Sequence, residues 1–143
     1  MINRMEIQRI TREGVAERLR GHGIAPTHQR IEVAYVLLER CEHLSADRIL
    51  ALVNARHAEV SKATVYNTLR LFREKGLIRE LVVDPAKIFY DPNTEPHHHF
   101  YDVITGELTD IPGGSVRIEG LPPLPHGTVA EGIDVIVRTR PRN

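Results

Sequence analysis

The N-terminal half of the chain carries apolar residues at the spacing of helices that bury one face. Between residues 31 and 38 the apolar positions follow i, i+3, i+4, i+7 spacing. Val65, Leu69 and Phe72 form a similar stripe further along the chain. We therefore expect amphipathic helices in this half, packed around an aliphatic core.

Three Ser or Thr residues stand where helices are expected to begin. Each has one apolar residue just before it and another four residues after it, the arrangement of a hydrophobic staple. The three sets are Thr11 with Ile10 and Val15, Ser45 with Leu44 and Ile49, and Ser61 with Val60 and Val65. Pro26-Thr27 opens a further helix, and Gly76 ends the last one. The pattern predicts four helices.

The pattern changes after Gly76. The runs LIRELVV (77–83) and KIFY (87–90) are short and rich in β-branched and aromatic residues, and Asp84-Pro85-Ala86 separates them. Such a sequence predicts a β-hairpin. Helices followed by a hairpin describe a winged helix-turn-helix, which we place at residues 1–91. Residues 92–96, Pro-Asn-Thr-Glu-Pro, have the composition of a linker.

Residues 97–143 are expected to form a second, smaller domain. FYDV (100–103), GELTDI (106–111) and TVAEGIDVIVRT (128–139) predict three strands. A short helix is expected within 113–121, although glycines weaken it and Pro122 ends it. The fold class is therefore α+β, a winged helix-turn-helix followed by a small α/β domain.

Composition is that of a soluble globular protein, with 41% apolar and 27% charged residues. No apolar run approaches the ~20 residues of a membrane span, and the N-terminus has no apolar signal core. We expect a cytoplasmic protein without a membrane partner.

The net charge of zero hides a basic first part, with 14 basic and 10 acidic residues in 1–83, and an acidic remainder. That split favours a polyanion-binding first domain.

Residues 61–76, SKATVYNTLRLFREKG, are informative about the class of partner. The polar face of this helix carries Ala63, Asn67 and Arg70, flanked by Thr64, Tyr66 and Arg73. A DNA major groove admits one helix, whose N-terminal side chains meet base edges. Asn67 suits a base edge, whereas Arg70 and Arg73 suit phosphates. An ordinary amphipathic helix with a solvated polar face explains the same pattern, so both interpretations stay open.

The histidines and nearby carboxylates suggest a metal site. His97 and His99 lie two residues apart, so on a strand they share a face that His98 does not. Asp91 lies just upstream and Asp110 on a strand that would return beside His99. Imidazole with carboxylate suits Fe(II), Mn(II), Co(II) or Zn(II). Each residue also has a plain alternative as a turn, strand-end or surface side chain.

Several motifs in order resemble the ferric uptake regulator family, from about Gly21 to Ile111. Ala63-Thr64-Val65-Tyr66-Asn67-x-Leu69 resembles its recognition helix, and Pro26-Thr27-x-Gln29-Arg30 resembles its second-helix signature. His97-x-His99, followed by Thr105-Gly106 and Asp110, resembles its metal-binding and dimerisation strands.

The resemblance implies a metal-dependent repressor of iron homeostasis that binds a two-fold symmetric double-stranded DNA operator as a homodimer, and not an enzyme. It implies one divalent metal per subunit, Fe(II) or Mn(II), with Zn(II) as an in vitro substitute. The implied ligands are His43, Asp91, His97, His99 and Asp110. The implied DNA contacts are Arg30, Ala63, Thr64, Tyr66, Asn67, Arg70 and Arg73. Because His43 belongs to the helical domain, one ion held by all five ligands would fix the orientation of the two domains.

One departure from the family is expected to matter. Members often carry Cys-x-x-Cys pairs that bind a structural zinc, but Cys41 is the sole cysteine here and Thr105-Gly106 stands at the matching position. No structural zinc held by four cysteines is therefore expected. The dimer would rest on packing of strand residues Phe100, Val103, Leu108, Ile133, Val135 and Val137.

Three branches of the family compete as the closest resemblance. One represses when iron is replete. A peroxide-sensing branch, in which peroxide oxidises a ligand histidine at the bound Fe(II), is resembled by Asn67 and Asp110. The haem-responsive iron response regulator is resembled by residues 97–101 and 110–112 and by the missing cysteine pairs, with His97, His98 and His99 as candidate haem ligands. We favour the iron response regulator, with the peroxide branch second.

Two other classes of protein are alternatives. Two histidines and a carboxylate are also the facial triad of a non-haem iron oxygenase, which needs a many-stranded β scaffold. A structural adaptor would use neither the histidines nor DNA, and their replacement would change nothing except solubility.

Overall fold

The computed structural model describes residues 10–40, 42–56, 60–112 and 114–143. The chain divides after Thr94 into two compact units. Cys41 lies outside the described residues. Among the residues that are described, no helix is long and apolar enough to cross a membrane.

The first unit contains four helices among its described residues. They are α1 (Arg12–Gly21), α2 (His28–Arg40), α3 (Ala46–Arg56) and α4 (Lys62–Glu74). The hydroxyl oxygen of Thr11 accepts a hydrogen bond from the backbone N–H of Gly14, and Ser61 caps α4 by accepting from Thr64. Ser45 accepts the N–H of Arg48 in the same way. The three predicted caps are therefore confirmed.

The helices of this unit enclose an aliphatic core. Val65, Leu69 and Phe72 of α4 are completely buried, as the helical stripe predicted. They belong to one cluster with side chains of α1, α2 and α3. Burial of such side chains stabilises the unit by roughly 1.5–3 kcal/mol each, so α4 is held by its apolar face while its polar face stays outside.

A small antiparallel sheet completes the first unit. Strands β2 (Arg79–Asp84) and β3 (Lys87–Asp91) form the predicted hairpin, in which the carboxylate of Asp84 accepts the N–H of Ala86. The short strand β1 (Leu44–Ser45) pairs with β3, giving the order β1-β3-β2. Gly76 adopts a φ of 74° between α4 and the hairpin, a conformation that favours glycine. The unit is a winged helix-turn-helix.

The second unit holds a three-stranded sheet. Strands β4 (His98–Asp102) and β5 (Leu108–Ile111) are antiparallel, and β6 (Ile136–Thr139) runs parallel to β4, so the order is β5-β4-β6. Together with the first unit, the molecule is α+β as predicted.

Two expectations for the second unit were wrong. Residues 114–121 form no helix, because Gly114 and Gly120 adopt positive φ values and Pro122 follows. The predicted strand over 128–139 is confined to β6. Residues 117–134 are exposed and irregular, so the described part of this unit is a sheet with a long irregular segment and no helix.

Candidate metal centre and nucleic-acid face

Three predicted metal ligands come together within the second unit. His97 directly precedes β4 and His99 lies within it, and their ring centroids are 4.5 Å apart. Asp110 of β5 is the cross-strand partner of His99. Its Oδ1 atom lies 3.4 Å from Nε2 of His97 and 3.3 Å from Nε2 of His99. Strand alternation and register therefore place two imidazoles against one carboxylate.

The hydrogen bond at Nδ1 of His97 indicates what this cluster can bind. This nitrogen lies 2.6 Å from the carbonyl oxygen of Glu95, which can only accept, so Nδ1 carries the proton and donates. In the neutral ring Nε2 then presents a lone pair to the carboxylate oxygen of Asp110. Two acceptors face each other and repel unless a cation or a second proton lies between them. A backbone carbonyl that orients a histidine in this way is the usual support of a metal ligand, so the donor set fits a divalent cation.

The other two predicted ligands come together within the first unit. Nε2 of His43 lies 3.0 Å from Oδ2 of Asp91. The cause is sheet register: Leu44 pairs with Tyr90 in the antiparallel β1–β3 pair, which places the preceding residue beside the following one. The other carboxylate oxygen, Oδ1, accepts the N–H of Asn93. That bond fixes the carboxylate so that Oδ2 is directed at the imidazole.

His98 makes a different contact, as its alternate position on the strand predicted. Its Nδ1 accepts a hydrogen bond of 3.0 Å from the N–H of Val135, whose carbonyl oxygen in turn accepts the N–H of His99. The His98 side chain thus fastens the chain entering β6 to the strand that carries predicted metal ligands. Ligation of haem iron through Nδ1 of His98 would require that bond to break.

The polar face of α4 is presented to solvent. Ala63, Tyr66, Asn67, Arg70 and Arg73 are exposed or partly exposed and Thr64 is half-buried. Because Ser61 caps the helix and the opposite stripe is buried, this face is rigidly held. It has the side chains that base edges and phosphates require.

The sequence interpretation missed two residues beside this face. Thr27 and Gln29 line the same groove as Arg30, Thr64 and Asn67. Thr27 also accepts the N–H of Arg30, whose guanidinium donates to the carbonyl oxygen of Ala25. The Pro26-Thr27-x-Gln29-Arg30 motif is the sequence signal that points to both residues.

A carboxylate beside the arginines was also missed. Oε2 of Glu80 on β2 lies 3.6 Å from Nη1 of Arg73. The pKa of Tyr90, the cross-strand partner of Glu80, is raised, chiefly by burial and next by the charge of Glu80. Nothing in the local sequence signals this pair, because it depends on how the hairpin packs against α4.

Comparison with known proteins gives a consistent result. The family model "Ferric uptake regulator family" matches residues 21–119. The "Peroxide operon regulator" of Bacillus subtilis (strain 168) is 35% identical over 95 residues, which cover 66% of this chain and 66% of that protein. The match thus spans slightly less than two thirds of that relative's length.

Solved structures show the same fold. The ferric uptake regulator of Vibrio cholerae gives a TM-score of 0.69 at 18% identity, covering 87% of this chain and 98% of that one. The ferric uptake regulator of Pseudomonas aeruginosa with manganese gives a TM-score of 0.65 at 19% identity, covering 89% and 97%. At such identities the likeness concerns the fold.

Proposed function

Because the family model matches residues 21–119, the chain belongs to the ferric uptake regulator family, and we propose that it is a divalent-metal-dependent transcriptional repressor that binds double-stranded DNA as a homodimer. The single observation that carries the metal dependence is the convergence of His97 and His99 on one oxygen of Asp110. The exposed face of α4, on a winged helix-turn-helix, supports DNA as the partner.

The proposed ligand set joins the two donor groups. His97, His99 and Asp110 supply three donors from the second unit, and His43 and Asp91 supply two from the first. Neither group alone fills the coordination shell that Fe(II) or Mn(II) prefers. The linker 92–96 also keeps the Cα atoms of Asp91 and His97 within about 22 Å even at full extension.

A shared ion would act as a switch. When bound, it supplies a contact that exists only while the two units are held together. Metal affinity and operator affinity are then reciprocally linked, typically by ~1–3 kcal/mol. In a two-fold symmetric dimer this linkage fixes the separation of two α4 helices against two half-sites of an operator.

Peroxide sensing is a second candidate for the signal. The curated relative from Bacillus subtilis is named a peroxide operon regulator, and Asp110 supplies the acidic ligand that resembles that branch. On this hypothesis a ligand histidine gains an oxygen atom when the Fe(II) form meets peroxide, whereas the Mn(II) form does not. Mass spectrometry of peptides that contain His43, His97 or His99 tests this hypothesis. After peroxide treatment, an added oxygen atom in the Fe(II) form and not in the Mn(II) form would support peroxide sensing.

The haem-responsive iron response regulator branch, which the sequence favours, stays a prediction. It shares the metal-dependent DNA binding tested below and adds a haem response. Of its three candidate ligands, His97 and His99 belong to the imidazole–carboxylate cluster, and His98 is the one bonded to Val135.

The proposed function is tested by selecting binding sites without assuming an operator. A random duplex library is incubated anaerobically with the protein and Mn(II), Fe(II), haem or a chelator, and bound DNA is sequenced. We expect a two-fold symmetric sequence to be enriched with Mn(II) or Fe(II) and lost with chelator. Enrichment that is equal with and without metal would refute metal dependence, and no enrichment in any condition would refute operator binding.

The enzyme alternative has no support in the fold. A facial-triad oxygenase surrounds its iron with a double-stranded β-helix, and the described part of the second unit is a three-stranded sheet. The adaptor alternative fails if the selection above succeeds, since it requires no DNA binding.

A further inference from the structure

The DNA-facing side of α4 ends beside an acidic side chain. Tyr66, Arg70 and Arg73 lie at i, i+4 and i+7, on one exposed side of the helix. Oε2 of Glu80 lies 3.6 Å from Nη1 of Arg73, and the side chains of Glu80 and Arg73 are 24% and 48% exposed. A carboxylate therefore lies at the edge of a face whose partner, DNA, is itself an anion.

Packing keeps this carboxylate in place. After Gly76 the N–H of Leu77 donates to the carbonyl oxygen of Phe72, so the chain turns back tightly against the end of α4. Leu77 and Ile78 are buried, and β2 begins at the next residue. Glu80 is thus carried by a hydrogen-bonded strand rather than a free loop, with buried Tyr90 opposite it.

The charges act on one another at this point. At 3.6 Å the guanidinium of Arg73 and the carboxylate of Glu80 attract one another, although both side chains are partly exposed to solvent. Arg73 therefore has a neighbouring carboxylate before any phosphate approaches.

We infer that Glu80 is an internal competitor for DNA phosphate at Arg73, which restrains the affinity of the protein for DNA of any sequence. This inference rests on the proposed function. A phosphate that reaches Arg73 must displace the carboxylate or share the guanidinium with it, and both weaken the contact. Because base readout does not pass through Arg73, the restraint acts on sequence-independent binding.

Replacement of Glu80 by the isosteric amide tests the inference. Glu80→Gln removes the charge and keeps the size of the side chain. Glu74→Gln is the matched control, since Glu74 is an exposed residue at the end of α4 and the net charge changes equally. Both are compared with wild type by fluorescence anisotropy on a duplex without the selected operator, with Mn(II) present, over a range of salt concentrations.

We expect Glu80→Gln to bind that duplex about two- to fivefold more tightly than Glu74→Gln, the range of a partly exposed ion pair. For Glu80→Gln, the slope of log affinity against log salt concentration should be steeper by up to ~0.9, the increment for one more phosphate contact. In an Arg73→Ala background the same substitution should change neither quantity.

Equal affinities for the two Gln variants, or a gain that persists without Arg73, would overturn the inference. A loss of affinity in Glu80→Gln would also overturn it, because Glu80 would then orient Arg73 toward phosphate. Melting temperatures of the variants show whether the fold is retained. If the wild-type protein selects no operator, the proposed function is refuted. The comparisons of the Gln variants test only the role of Glu80.

Discussion

Asp110 faces His99 across the antiparallel β4–β5 pair, with Oδ1 of the carboxylate 3.3 Å from Nε2 of the imidazole. Since side chains alternate along a strand, a register slip of one residue would turn Asp110 to the opposite face of the sheet. The register of a single hairpin therefore assembles the part of the proposed metal site that lies in the second unit.

His99→Ala is expected to abolish tight Mn(II) binding, and His97→Ala to do the same. Each removes a nitrogen ligand from a site with few donors, and the loss should be greater at low pH, where protons compete for the remaining imidazoles. Isothermal titration measures the affinity, with His126→Ala, an exposed histidine elsewhere in the second unit, as the control. Wild-type affinity in both ligand variants would refute the site.

His43→Ala is expected to separate metal binding from switching. Three proposed ligands in the second unit remain, so some affinity for Mn(II) should survive, while the enhancement of operator binding by Mn(II) should vanish. Metal titration and anisotropy with and without Mn(II) are performed on the same variant. If Mn(II) still enhances operator binding, the two units do not share the ion. Loss of all metal binding would instead show that the site forms only from both units.

Asn67→Ala and Arg70→Ala are expected to affect DNA binding differently. Asn67 suits a base edge, so its loss should relax the preference for the selected operator at one position, at a cost of about 1–3 kcal/mol. Arg70 suits a phosphate, so its loss should weaken binding to all sequences and reduce the salt slope by ~1. Repeating the binding-site selection checks the operator preference of Asn67→Ala, and a salt titration of DNA affinity checks Arg70→Ala. An unchanged operator preference in Asn67→Ala would show that another face of α4 reads the bases.

The homodimer is expected to persist after chelation. The chain has one cysteine, so a zinc ion held by four cysteines of one chain cannot stabilise the second unit. Phe100 and Val137, which are cross-strand neighbours and 41% exposed each, offer an apolar surface for a second copy. Light scattering before and after chelator should give the same mass, whereas Phe100→Ser should favour monomer. A monomer produced by chelator alone would contradict the prediction.

The Asp102 turn is expected to give the second unit an acid-sensitive contribution to stability. Hydrogen bonds from the backbone N–H groups of Thr105 and Ile104 to its carboxylate lower the pKa of Asp102 below the ordinary 3.8. A lowered pKa in the folded state stabilises the fold above pH 3.8, and this contribution is lost as pH falls through the lower folded value.

The measurement compares melting temperatures of wild type and Asp102→Asn in chelator between about pH 2 and neutrality. The Asn variant keeps an acceptor oxygen but has no charge to lose. We expect it to melt below wild type near neutral pH, with a difference that shrinks as pH falls below 3.8. A difference that does not depend on pH would show that the charge contributes nothing.

The sequence alone was sufficient for the four helices described in the first unit and for proposing the candidate ligands. Caps such as Ser61 and stripes such as Val65, Leu69 and Phe72 act between residues a few positions apart, so a local pattern specifies them. The i, i+2 spacing of His97 and His99 likewise fixes their common face in any strand. The short helix expected within 113–121 does not form over its described residues. Gly114 and Gly120 adopt positive φ values and Pro122 follows, and the apolar pattern there is weak.

Only the tertiary structure decided the relationships between residues far apart in the chain. The contact of His43 with Asp91 depends on β1 pairing with β3, and that of Arg73 with Glu80 depends on the hairpin packing against α4. The bond between His98 and Val135 depends on β6 returning parallel to β4. Such pairings depend on the burial and hydrogen bonding of whole helices and strands. The free energy that decides them is summed over many residues, so the few residues around each site do not predict it.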